Sequence, residues 1–93
     1  MINRNTLFED SLELLKTMIQ TPSLSREENL TADLIASFLE KRSVKIFRQD
    51  NNIWAYNQYY DAKKPTILLN SHHDTVKPNT GYTRDPFAAT VED

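Results

Sequence analysis

The sequence predicts an α/β domain on three observations: two amphipathic helical stripes in its first half, a short pair of β-prone segments, and a branched apolar run at Thr66-Ile67-Leu68-Leu69-Asn70. The run does not alternate apolar with polar residues, so both faces of that strand are expected to be covered, as in the centre of a sheet. It ends abruptly in Ser71-His72-His73-Asp74-Thr75-Val76. In open α/β sheets ligands gather beyond the carboxyl ends of the strands, which is where this polar cluster falls.

The elements follow in chain order. Thr6 and Glu9 have the spacing of a capping box, which starts a helix over Leu7 to Gln20. Phe8, Leu12, Leu15 and Ile19 recur on one helical face, widened by Leu7, Leu14 and Met18, the stripe of a core-facing helix. Thr21-Pro22-Ser23 stops it, and Ser25 with Glu28 makes a second capping box for a helix over Arg26 to Arg42. Leu30, Leu34, Ile35, Phe38 and Leu39 form its buried stripe. Glu27 and Glu28 near its start and Glu40, Lys41 and Arg42 near its end largely complement the helix dipole. Val44 to Arg48 and Ile53 to Tyr56 are rich in β-branched and aromatic residues, so they read as antiparallel strands joined by a turn at Gln49-Asp50-Asn51-Asn52. Tyr59 to Pro65 is a polar connection. Residues 75–93 contain Pro78, Gly81 and Pro86 and suggest no element before Ala89-Thr90-Val91; so long an irregular stretch is uncommon in a compact domain.

Composition removes several functions. The chain has 93 residues, enough for one domain, and such a domain buries only roughly 60 to 65% of its unfolded surface. Eleven basic against thirteen acidic residues give a charge of −2, which offers no footprint for nucleic acid or an anionic membrane. No segment approaches the ~20 apolar residues that span a bilayer, and the first twenty residues alternate charged and apolar types at helical spacing, so no secretory signal is visible in them. With no cysteine there is neither a disulfide framework nor a thiolate site, and a cytoplasmic location is expected. Trp54, Tyr56, Tyr59 and Tyr60 would be a base-stacking platform only in a basic protein.

The chemistry lies in His72 and Asp74. Residues two apart on an extended chain share a face, so this imidazole and carboxylate can cooperate while His73 points elsewhere. A neutral imidazole binds metal through one ring nitrogen, and a carboxylate on the other nitrogen fixes the tautomer and raises the basicity of the ligand. The bland alternative is that Asp74 caps a turn through the Thr75 and Val76 amides and that His73 is merely exposed. A catalytic zinc takes three protein ligands, and this chain supplies one good one. Asp85, Glu92 and Asp93 are further carboxylates, although Asp85 before Pro86 has the character of a turn residue. Ser71 lacks a nucleophile elbow, a single glycine (Gly81) cannot build a phosphate-cradling loop, and Glu27-Glu28 is better explained as a helix start than as a glycosidase pair. The lone ligand, together with a central strand that needs cover on its second face, leads to the expectation that residues 1–93 are the opening part of a larger domain.

Ser71-His72-His73-Asp74-Thr75-Val76, followed by Pro78 and Asp85-Pro86-Phe87, resembles the first metal-binding motif of the co-catalytic zinc amidohydrolases that include acetylornithine deacetylase, succinyl-diaminopimelate desuccinylase, aminoacylase and glutamate carboxypeptidase. Thr21-Pro22-Ser23 with Ser25 to Glu28 is similar to that family's opening segment. The resemblance implies a three-layer sandwich around a mixed sheet, of which this chain would hold the N-terminal helices and first strands. It implies that His72 is a zinc ligand and that Asp74 is the carboxylate holding it. The bridging aspartate, the general-base glutamate and the other ligands would follow beyond Asp93. The complete site would hold two Zn2+, with Co2+ as a substitute, and would hydrolyse amide bonds in N-acyl amino acids or small peptides. The His-His-Asp-Thr-Val form followed by Lys77 is closest to acetylornithine deacetylase-like members, which points to arginine biosynthesis and allows a homodimeric parent. Lys77 and Tyr82 depart from the family's usual loop. The isolated chain is expected to be inactive. A competing expectation is a small interaction module whose segment from Lys77 onward folds against a partner protein.

Overall fold

In the computed structural model, which describes residues 3–81 and 83–92, two helices precede one β-hairpin. Tyr82 and Asp93, both named above, lie outside the described residues.

Helix α1 covers Arg4–Gln20 and begins earlier than the Thr6 capping box predicts. Asn3 is the N-cap: its Oδ1 accepts from the amides of Asn5 at 3.0 Å and Thr6 at 3.3 Å, satisfying donors that an uncapped helix would leave open. The helix closes at Thr21, whose hydroxyl donates to the Thr17 carbonyl at 2.7 Å, and Pro22 cannot continue it. Helix α2 covers Asn29–Glu40, shorter than Arg26 to Arg42. Arg26 has φ 71°, the left-handed region, which a right-handed helix excludes. The Ser25–Glu28 capping box does not form, because Glu28 is itself the N-cap residue and makes no side-chain cap bond. At the other end, Ser43 has φ 60°, its amide bonds to the Glu40 carbonyl at 3.0 Å and the Val44 amide to the Leu39 carbonyl at 3.1 Å. This is a Schellman motif with serine in the position glycine usually takes.

Strands β1 (Phe47–Gln49) and β2 (Asn52–Trp54) pair antiparallel with Phe47 opposite Trp54, Arg48 opposite Ile53 and Gln49 opposite Asn52. They are shorter than the predicted segments, and the turn is carried by Asp50, at φ 55°, a residue type that tolerates the left-handed conformation. Phe47 stacks on Trp54 with ring centres 5.9 Å apart and meets Tyr56 edge-on at 5.7 Å, and Tyr56 stacks on Tyr60 at 4.5 Å. These aromatics pack on one another along the hairpin.

The largest correction concerns Thr66 to Asn70. No strand forms there, and Ile67, Leu68 and Leu69 are more than 80% exposed. A strand exists only by pairing, and the nearby hairpin pairs with itself. No strand forms at Ala89-Thr90-Val91 either. The apolar core is correspondingly small: Ala32 and Ala36 of α2 are its buried members, and α1 buries no residue fully. Polar ties add to it, with Arg42 paired to Asp10 and stacked 4.0 Å over Phe38, and Arg48 paired to Asp33 at 2.7 Å, joining α2 to α1 and to β1.

Candidate metal centre

A backbone bridge is among the contacts that tie the motif to the body of the fold. Leu24 and Thr75 form an isolated parallel bridge, in which the Thr75 amide donates to the Ser23 carbonyl at 2.6 Å. Residues 70–74 thereby line an open cleft of about 510 Å³ with Met18, Glu28, Ile35 and the hairpin residues Asn51 to Trp54. A larger cleft of about 1070 Å³ lies between the start of α1 and residues 41–47, but no histidine lines it.

Within the cleft the two adjacent histidines are held in opposite ways. His72 Nδ1 lies 2.9 Å from Asp74 Oδ1 and 3.0 Å from the Asp74 carbonyl oxygen. Both oxygens only accept, so Nδ1 must carry the proton and donate. In the neutral ring the lone pair is then on Nε2, and the side chain is 83% exposed, leaving that nitrogen open to a ligand. The pair brings together the two residues that the two-residue spacing places on one face. Asp74 is engaged with His72 rather than with the Thr75 and Val76 amides.

His73 is the residue that the spacing alone does not place. Its Nε2 is 3.1 Å from the Asn51 carbonyl oxygen and its Nδ1 is 2.7 Å from Thr31 Oγ1. The carbonyl requires a donor, so Nε2 carries a proton, and Nδ1 is occupied by the threonine hydroxyl in either protonation state of the ring. Of the two imidazoles, His72 alone presents a free nitrogen. His73 is therefore partly buried and bonded, not exposed as a bare spacer would be. Its partners lie 22 and 42 residues away, so no local sequence signal points to them.

The other sequence candidates do not converge on this point. Asp85 Oδ1 accepts from the Phe87 amide at 2.9 Å, the turn role expected before Pro86, and Glu92 pairs with Arg84. Among the described residues, no group of three or more His, Cys, Asp or Glu side chains could hold a metal ion. Glu28 was missed as a cleft residue; its Oε2 is buried with no hydrogen-bond partner, and it lines the cleft together with His72, His73 and Asp74. A buried, unpartnered carboxylate oxygen and an imidazole with one open nitrogen, lining one cleft, are donor types that suit a zinc-type cation.

Comparison with known proteins places this geometry in context. No protein-family model matches the chain. Its sequence is similar to a probable carboxypeptidase of Emericella nidulans, 34% identical over 79 residues, covering 77% of this chain and 18% of the relative. It is also similar to the succinyl-diaminopimelate desuccinylase of Blochmanniella pennsylvanica, 34% identical over 87 residues, covering 86% and 23%. A probable carboxypeptidase of Paracoccidioides brasiliensis is 33% identical over 96 residues, covering 87% and 21%. The chain spans about a fifth of the length of these curated relatives. The similarities support a relation to the peptidase family that brings carboxypeptidases and desuccinylases together.

Proposed function

We propose that this chain contributes the first metal-binding corner of a metal-dependent amidohydrolase, with His72 as a ligand through Nε2 and Asp74 as its orienting carboxylate. The observation that carries the reading is the hydrogen-bond geometry of His72: Nδ1 lies 2.9 Å from Asp74 Oδ1 and Nε2 is left open. A second support is the similarity to proteins named carboxypeptidase and desuccinylase, both hydrolases of amide bonds. We further propose that residues 1–93 are the N-terminal part of a three-layer catalytic domain. The uncovered run at Ile67 to Leu69 is then a strand whose neighbours come from later in the polypeptide.

Zinc, when bound, would supply Lewis-acid polarisation of the scissile carbonyl and a water of lowered pKa. The chain's own residues would prepare that site. Asp74 holds the His72 ring in one tautomer and one orientation, so binding would lose little rotational freedom. The substrate class is an N-acyl amino acid or small peptide. The His72 to Lys77 sequence favours an N-acetylated amino acid of the arginine pathway, with N-acetylornithine as its representative.

The test is hydrolysis by the longer protein containing this segment, offered N-acetylornithine, N-succinyl-diaminopimelate and a dipeptide. Turnover of at least one substrate is expected, abolished by a chelator, restored by Zn2+ or Co2+, and lost in His72→Ala. Chelator-resistant turnover, or full activity in His72→Ala, would contradict the assignment.

A further inference from the structure

Among the described residues few are buried, and two of the four are hydroxyls: Ser23 at 3% exposure and Thr31 at 1%, beside Ala32 and Ala36. The two hydroxyl oxygens are 2.8 Å apart. Both reach the metal motif from elements that precede it by more than 40 residues. Ser23 Oγ donates to the His73 carbonyl oxygen at 2.9 Å, and the Ser23 carbonyl accepts from the Thr75 amide at 2.6 Å and from the Thr75 hydroxyl at 3.3 Å. Thr31 Oγ1 meets His73 Nδ1 at 2.7 Å and the Glu28 carbonyl oxygen at 3.1 Å. Ser23 therefore grips the backbone on both sides of Asp74, while Thr31 and the Asn51 carbonyl grip the intervening imidazole.

We propose that Ser23, Thr31 and His73 form a positioning network that sets the backbone of residues 73–75 so that Asp74 meets His72 Nδ1. This rests on the metal-corner reading given above. The His72–Asp74 pair needs such support. It spans two residues on an irregular segment, and the His72 side chain is 83% exposed while Asp74 is half-buried, so the packing around the imidazole itself does little to fix its rotamer. The network provides the limit from a buried region, where an unmade hydrogen bond is costly and the geometry is held tightly. His73 is in this sense a positioning residue: it turns its ring away from the open side and into the fold, leaving His72 as the ligand.

The experiment is long-range ¹H–¹⁵N NMR of the imidazoles in the metal-free longer protein containing this segment, with Zn2+ alone as the probe, in the wild type, Thr31→Val, Thr31→Ser and Ser23→Ala. The wild-type His72 ring is expected in the Nδ1–H tautomer. Thr31→Val and Ser23→Ala should mix it with the Nε2–H tautomer and weaken the Zn2+ response of His72 by about tenfold, the low end of what losing an orienting group costs a metal site. Thr31→Ser should restore both. An unchanged His72 tautomer in both deletion variants, with circular dichroism showing the helices intact, would overturn the network. If Thr31→Val does not fold, Ser23→Ala, which removes one hydroxyl and leaves Thr31 in place, decides the question. Failure of the metal reading is a separate outcome: the wild-type His72 ring would then ignore Zn2+, while its tautomer would still report on Ser23 and Thr31.

Discussion

At the residue scale, the distinction between His72 and His73 carries most of the functional content. The sequence offers two neighbouring imidazoles, and two-residue parity selects His72 as the partner of Asp74. The structure adds the reason His73 is not available, since both its nitrogens are engaged by Thr31 and the Asn51 carbonyl. That part was not legible because the partners are brought near by the fold, not by spacing. Two outcomes follow for the longer protein. Asp74→Ala should lower Zn2+ affinity roughly 10- to 100-fold, read by competition with a chromophoric chelator. His73→Ala should leave a ligand in place and weaken affinity less than His72→Ala, which should remove metal and turnover together.

At the element scale, both helices were legible from their stripes, but their ends were not. Thr6 and Glu9 fit a capping box, yet Asn3 lies one turn earlier and its short side chain reaches the same free amides. Arg26 looks like an ordinary first-turn residue in the sequence, and only its left-handed backbone removes it from α2. Asn3→Ala should cost about 0.5 to 2 kcal/mol in a urea titration, the usual worth of an N-cap. Ser43→Gly should act in the opposite direction, stabilising by about 0.5 to 1 kcal/mol, because glycine enters the left-handed position without the Cβ penalty. A destabilised Ser43→Gly would mean that the Schellman geometry after α2 is not what ends the helix.

At the scale of the whole molecule, the radius of gyration is 15.7 Å, against about 12 Å for a compact domain of this length. The accessible surface is 8479 Å², where a compact monomer of this mass would expose about 5,500 Å². The exposed apolar side chains are spread from Leu7 to Val91 and include Ile67, Leu68 and Leu69, where the sequence asks for burial. Their apolar character was legible; their pairing was not, because ladder partners are a property of the chain around them. Under the three-layer proposal, Leu68→Lys should change the stability of the 93-residue chain by less than about 0.5 kcal/mol, as at an exposed site. In the longer protein the same change should cost about 3 to 5 kcal/mol, the penalty of an unpaired buried charge. Equal, small effects in both would argue that the run stays on the surface.

The most direct measurement is a Zn2+ titration of the metal-free longer protein containing this segment, followed by imidazole ¹⁵N NMR, at a pH of about 8, above the ordinary titration range of histidine. The His72 Nε2 signal should move with added Zn2+ while both His73 nitrogens remain unchanged. A response centred on His73, or His72 found with its proton on Nε2, would contradict the assignment of His72 as ligand and Asp74 as its orienter.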